Sequence, residues 1–131
     1  MPPAPTPHDF DRTTAFTHLR TVRGHLIARI IPAQVGQREV SIVADEIGAA
    51  ISELAQDAKG RCMVLDMSDV RMMSSMGLGM CVDLKNRADH ARMRPVLFGA
   101  SATILELLRL MRVDRLYTVV PDAPSLERLL A

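Results

Sequence analysis

A short apolar run near the middle of the chain constrains the fold more than any other segment. Cys62-Met63-Val64-Leu65 is uninterrupted by polar residues and ends in Asp66. An apolar run of this length is typical of a strand that is covered on both faces. Strands of that kind occur in parallel sheets with helices packed against them. The run therefore favours an α/β fold.

Helical periodicity flanks this run on both sides. Apolar residues recur at spacings of three and four from Val40 to Leu54, which predicts an amphipathic helix. A second helix is predicted to begin near Ser75 or Met76, where small and apolar residues recur at helical spacing from Gly77 onward. The order of helix, strand and helix is that of an α/β domain.

The remaining segments complete the pattern. Loose alternation from Phe16 to Ile31 around Gly24 predicts an antiparallel hairpin. Residues 95–98 and 116–120 predict further strands, and residues 102–111 and 124–130 predict helices. The proline-rich residues 1–12 predict a disordered tail. We therefore predict one domain over residues 13–131, with a mixed central sheet of about four to five strands and about four helices.

The charge balance argues against nucleic acid as the main partner. The chain has 16 basic and 15 acidic residues, for a formal net charge of +1. Phosphate-backbone binding depends on a basic surplus or a basic stripe, and the sequence shows neither. Aromatic side chains that stack on bases are also scarce, since there is no tryptophan. We expect no nucleic-acid partner.

The two cysteines and the hydropathy pattern bear on the compartment. Cys62 and Cys81 each lie in an apolar run, which predicts burial rather than a disulfide framework or a metal site. The sequence contains no run of about 18 apolar residues, so it predicts no membrane-spanning helix. The amino terminus also lacks the residue order of a signal peptide. We expect a reduced, cytoplasmic setting without a membrane partner.

No catalytic motif is evident in the chain. The four histidines are His8, His18, His25 and His90. None of them lies in a recognisable arrangement with a serine, a cysteine or a carboxylate. Gly77-Leu78-Gly79 is half of a dinucleotide-binding fingerprint, and small residues that pack a helix on a sheet explain it better. The sequence predicts no catalytic residue, no cofactor and no metal site.

The segment after the central run carries a family resemblance. Residues 63–70 read Met-Val-Leu-Asp-Met-Ser-Asp-Val and precede the run Ser-Ser-Met-Gly-Leu-Gly at residues 74–79. This resembles the STAS family of anti-sigma-factor antagonists, in which a hydrophobic strand ending in Asp precedes Asp-Ser-Ser-Gly-Leu-Gly at a helix start. Residues 95–99 and 107–117 resemble the next family strand and the leucine-rich helix and turn that follow. The resemblance extends over roughly residues 16–131.

The resemblance implies a bacterial, cytoplasmic regulatory module that acts in transcription regulation without being an enzyme. Such antagonists bind an anti-sigma factor, a serine/threonine kinase of the histidine-kinase-like ATPase fold. The kinase phosphorylates one serine of the antagonist, and a serine phosphatase removes the phosphate. The partner-binding residues that the resemblance implies here are Asp66, Asp69, Met73, Ser74, Ser75, Met76 and Gly77.

This chain departs from the family at the phosphorylated position. The family acceptor is the second serine, directly before glycine, and that position is Met76 here. Ser75 matches the first serine, and Ser74 stands where the family has aspartate. Three interpretations remain open: a constitutive binder without a phosphorylation switch, a displaced acceptor at Ser75 or Ser74, or a structural loop with the partner docked elsewhere.

The same residues also have structural explanations. Ser74 and Ser75 suit the capping of a helix, and Asp66 and Asp69 suit hydrogen bonds within a turn. Methionines at 72, 73 and 76 suit core packing, but exposed methionines would form an adaptable protein-binding patch.

Two other classes of function remain alternatives. One is a scaffold subunit of a signalling assembly built from several such domains, for which we would expect a homo-oligomer. The other is an enzyme, which a bound cofactor or metal would indicate.

Overall fold

The central apolar run forms an inner strand of the main sheet. The computed structural model describes residues 9–131. The strands in that range are β1 (Asp11–Thr13), β2 (Thr17–Val22), β3 (His25–Ile30), β4 (Gln34–Val35), β5 (Cys62–Asp66), β6 (Met72–Met73), β7 (Arg94–Phe98) and β8 (Thr118–Val120). The helices are α1 (Gln37–Leu54), α2 (Ser75–His90), α3 (Ala102–Leu110) and α4 (Ala123–Leu130).

The main sheet is mixed, as the sequence predicts. Its six strands within residues 9–131 have the order β1-β2-β3-β5-β7-β8. The strands β1, β2 and β3 are antiparallel, and β3, β5, β7 and β8 are parallel. A separate parallel pair joins β4 to β6. The α/β prediction is confirmed, but the predicted number of four to five strands is too low for the main sheet, because β1 has only three residues and two of them lie in the segment predicted to be a tail.

Helices pack on both faces of the main sheet. The larger core lies between the sheet and helices α1, α2 and α3, and it contains the β5 residues Met63 and Leu65. The smaller core lies on the other face, where Leu126 and Leu130 of α4 pack against Val64. Alternate residues of β5 thus enter different cores, which is why the strand is apolar throughout.

Regular structure begins inside the segment that was predicted to be a tail. Residues 11 and 12 belong to β1, so regular structure starts two residues before the predicted start of the domain at residue 13. The Arg12 guanidinium binds both carboxylate oxygens of Glu53 on α1 at 2.8 Å, and the Phe10 N–H donates to Thr21 Oγ1. These contacts fix the segment to the domain. Residues 1–8 of the predicted tail lie outside the described residues.

Arginines that are far apart in the sequence meet at one edge of the sheet. Arg23, Arg61 and Arg92 lie just before β3, β5 and β7, and Arg94 begins β7. Because these three strands are parallel, their starts share an edge. The fold therefore contains a basic stripe. The sequence did not show this stripe, because its arginines are far apart along the chain. The absence of a nucleic-acid partner stays a prediction.

Within residues 9–131, each helix is too short or too polar to cross a bilayer.

Candidate functional site

The loop after β5 is fixed by the carboxylate at the end of that strand. Asp66 Oδ1 accepts hydrogen bonds from the Ser68 N–H at 2.9 Å and from the Ser68 hydroxyl at 2.5 Å. Gly99, with a φ of 77°, lies directly against this pair, and a Cβ there would collide with Ser68 Oγ. The expected hydrogen-bonding role of Asp66 in the turn is confirmed.

Asp69 forms an ion pair that the sequence did not reveal. Its Oδ2 lies 2.8 Å from both Nε and Nη2 of Arg29 on β3. The two side chains are 36% and 45% exposed, so the pair contributes at most about 1 kcal/mol to stability. The sequence shows Arg29 only as a single arginine in an apolar strand, and this does not predict Asp69 as its partner.

The parallel pair β4–β6 positions the start of α2. Val35 of β4 pairs with Met73 of β6, and the Val35 carbonyl accepts a hydrogen bond from the Ser74 N–H at 3.0 Å. This arrangement places Ser74 where the helix begins. Sequence reasoning missed the pair, since strands of two residues show no alternation of apolar and polar positions.

Ser74 caps α2, as its residue type and position predict. Its backbone is extended, with φ −79° and ψ 172°, and its Oγ accepts a hydrogen bond from the Gly77 N–H at 3.3 Å. Ser75 is the first helical residue and is exposed. Its hydroxyl makes no hydrogen bond with residues 9–131. Of the two candidate acceptors, only Ser75 has a hydroxyl free of a structural role.

Gly77 is buried and allows the helix start to approach the β4–β6 pair closely. A Cβ at this position would collide with Met73 Cγ and would lie 3.1 Å from the Val35 carbonyl oxygen. Gly79 instead faces open space. The packing interpretation of the glycine pair is therefore right for Gly77 and wrong for Gly79. Gly77, one of the predicted partner-binding residues, shapes the surface without presenting a side chain to it.

Two methionines are exposed beside the serines. Met72 is 63% exposed and Met76 is 46% exposed. Met73 is half-buried, with its Sδ 4.0 Å from the Sγ of Cys81 in the core. We call the exposed group Met72, Ser74, Ser75 and Met76 the methionine–serine surface. A shallow cleft of about 250 Å³ between β4 and β6 adjoins it.

The two cysteines are buried and protonated. Burial raises the pKa of the Cys81 thiol to about 12, and burial also raises the pKa of Cys62. Both are free thiols, as their apolar context predicts. Among residues 9–131, no three His, Cys, Asp or Glu side chains are grouped so that they could hold a metal ion.

A mixed sheet with a capped helix start beside its central strand is the arrangement of the STAS domain. A family model for the STAS domain matches residues 40–125, about two thirds of the 131 residues. The chain belongs to the STAS domain family.

Solved structures of anti-sigma-factor antagonists share this fold. A STAS domain protein of this class from Planctomyces limnophilus is 18% identical with a TM-score of 0.76, and the match covers 91% of this chain and 100% of that one. Unphosphorylated SpoIIAA is 16% identical with a TM-score of 0.67, over 86% of this chain and 95% of that one. Phosphorylated SpoIIAA from Bacillus is 16% identical with a TM-score of 0.63, over 86% and 98%. Among curated proteins, no sequence matches significantly.

Proposed function

We propose that this chain is a non-enzymatic regulatory module that binds an anti-sigma factor, or a related serine/threonine kinase of the histidine-kinase-like ATPase fold. The methionine–serine surface is the docking site in this proposal. The observation that carries it is the exposure of Met72 and Met76 at a capped helix start, in a fold shared with anti-sigma-factor antagonists. The setting we propose is the bacterial cytoplasm.

The exposed methionines suit a protein partner. Burial of one methionine side chain at an interface stabilises a complex by about 1.5–3 kcal/mol, before the costs of association. The unbranched thioether adapts to different shapes, and methionine is enriched at protein interfaces. Met72 lies on the rigid β4–β6 pair and Met76 on the first turn of α2, so the two are presented with little loss of backbone freedom.

The main form of the proposal is a binder without a phosphorylation switch. Met76 occupies the position at which the family carries its phosphorylated serine, and a thioether cannot accept a phosphoryl group. Because the Met76 side chain is exposed, this contact would be available to a partner at all times. This form does not require a phosphatase.

A displaced acceptor at Ser75 is the second candidate, favoured by its exposed and unbonded hydroxyl. A phosphate at this position would lie beside the free N–H groups and the positive end of α2, so the fold would tolerate it. It would also add about two negative charges to an otherwise apolar surface, which opposes docking. Ser74 is the weaker acceptor, because its oxygen already caps the helix.

The proposal is tested by mixing the protein with the anti-sigma kinases encoded in the same genome, with and without ATP. Size-exclusion chromatography with light scattering measures complex formation, and mass spectrometry of the same samples measures phosphorylation. We expect a complex in both conditions and no modification of the chain. Phosphate on Ser75, absent from Ser75→Ala and retained in Ser101→Ala, would instead establish the displaced acceptor.

The same experiment separates the scaffold alternative. A chain that elutes as a stable oligomer and binds no kinase would favour a subunit of a multi-domain assembly over the proposed function.

A further inference from the structure

We propose that the cleft between the loops preceding β5 and β7 binds a ligand that carries phosphate groups. We call it the arginine cleft, after Arg61, Arg92 and Arg94, which line it beside His25. Its volume is about 610 Å³, within the range of small-molecule sites. It lies where the parallel strands start, whereas α2 begins at the edge where they end. The inference is therefore independent of the docking function proposed above.

Backbone hydrogen bonds bring the three arginines together. The Gly60 N–H donates to the Arg92 carbonyl at 3.1 Å, and the Arg94 N–H donates to the Arg61 carbonyl at 2.8 Å. The two loops are thus held side by side. Arg61 is also positioned by Gly24 of the β2–β3 turn, where an added Cβ would lie 3.0 Å from Arg61 Nε. The backbone that carries the three arginines is consequently held in place before any ligand binds.

The three arginines of the cleft have no anionic partner within bonding distance among the described residues. Arg61, Arg92 and Arg94 form no side-chain hydrogen bond or ion pair within residues 9–131. Asp89 also lines the cleft, but its carboxylate binds Lys85 at 2.6 Å. Each guanidinium group presents a planar fork that matches phosphate oxygens. A phosphate-bearing ligand would give the free donors an anionic partner.

The backbone at Arg92 allows a matched control to be chosen. Its φ of 61° lies in the left-handed region, which disfavours residues with a Cβ and favours glycine. Arg92 directly follows the C-cap of α2, and the Met93 N–H donates to the Ala88 carbonyl at 2.8 Å, so this φ belongs to the turn that ends the helix. Arg112, at the end of α3, has nearly the same φ of 60° but does not line the cleft. It therefore offers a control with the same charge and the same backbone.

The test is a calorimetric titration of the full chain with inorganic pyrophosphate, at low salt. We expect saturable binding that Arg92→Gly and Arg94→Gln each weaken by about tenfold, which corresponds to one lost charge-assisted hydrogen bond. Arg112→Gly should bind within about twofold of the unmodified protein. Thermal melts should show Arg92→Gly at least as stable as the unmodified protein, because glycine relieves the strain, so lost binding would not reflect unfolding.

Sedimentation with vesicles distinguishes the source of the phosphate group. Binding to phosphatidylcholine vesicles only when they contain phosphatidylglycerol, and lost in Arg92→Gly, would assign a lipid headgroup. Pyrophosphate binding without vesicle binding would assign a soluble ligand. The proposal is overturned if neither probe binds saturably, if succinate binds as tightly as pyrophosphate, or if Arg112→Gly weakens binding as much as Arg92→Gly.

Discussion

The roles of some single residues around the start of α2 can be predicted from the sequence, and the roles of others cannot. Ser74 and Asp66 act on backbone and side-chain groups only two or three residues away. Local contacts of this kind follow from residue type and spacing, so the cap and the turn could be predicted. The exposure of Met72 and Met76 depends on which distant segments cover them. An apolar side chain alone does not show whether it packs in the core or faces a partner.

His25 is the residue whose ionisation we expect to affect stability. It is buried, and its Nδ1 accepts a hydrogen bond from the Cys62 N–H at 2.9 Å, which requires an unprotonated nitrogen. Burial lowers the pKa of His25 below its ordinary value of 6.5, and the charge of Arg61 lowers it further. The unfolded chain therefore binds a proton on His25 at a higher pH than the folded chain does. The stability that neutral His25 contributes is therefore fully present above about pH 6.5 and is lost as the pH falls.

Urea denaturation between pH 7.5 and pH 5 measures this effect, with His25→Gln as the comparison because it cannot be protonated. We expect the free energy of unfolding of the unmodified protein to decrease over this interval by more than that of His25→Gln. The contact between His18 and Asp11 is present in both proteins, so it does not distinguish them. Equal pH dependence of the two proteins would contradict the role of His25.

The elements that the sequence predicted are those long enough to repeat a pattern. Helices α1 and α2 span 18 and 16 residues, and β3 and β5 span six and five. In each of these elements the pattern of apolar residues indicates which faces are buried. The pair β4–β6 has two residues per strand and is stabilised by tertiary contacts, which the sequence pattern does not encode. Because the β4–β6 pair was not predicted, the half-buried position of Met73 could not be predicted either.

Two buried helical glycines are expected to respond in opposite ways to alanine. At Gly48 of α1 an added Cβ would collide only with the end of the flexible, half-exposed Arg87 side chain, which can move away. Gly48→Ala should therefore stabilise the protein by up to about 1 kcal/mol through helix propensity. At Gly77 of α2 the Cβ would meet Met73 and the backbone of Val35. Gly77→Ala should destabilise it by about 1–3 kcal/mol.

Chemical denaturation of the two variants in parallel measures the difference, since both carry the same substitution in a helix. The packing account of the α2 start would be wrong if Gly77→Ala were as stable as Gly48→Ala.

At the scale of the whole molecule, the fold separates two surfaces. The methionine–serine surface lies where the parallel strands end, and the arginines gather where β3, β5 and β7 begin. Neither surface is continuous in the sequence. A net charge of +1 conceals the gathering of positive charge, because 15 acidic residues nearly balance the 16 basic residues over the whole chain. The fold class followed from local patterns, whereas the surfaces required the topology of the sheet.

The central claim is that a partner docks on the methionine–serine surface, and an aspartate substitution tests it most directly. Leu110, which is 74% exposed, provides the matched control: α3 runs back from the end of β7, so this residue lies toward the opposite edge of the sheet from Met76. Both side chains are exposed apolar groups on helices, so the same substitution places a charge on either surface with little effect on the core.

Isothermal titration calorimetry with an anti-sigma kinase that forms the complex gives the affinity of each variant, and circular dichroism verifies that both are folded. We expect Met76→Asp to weaken binding by about tenfold or more, because a charge would be desolvated at the contact. Leu110→Asp should bind within about twofold of the unmodified protein. Unchanged affinity in Met76→Asp, or an equal loss in both variants, would contradict the account.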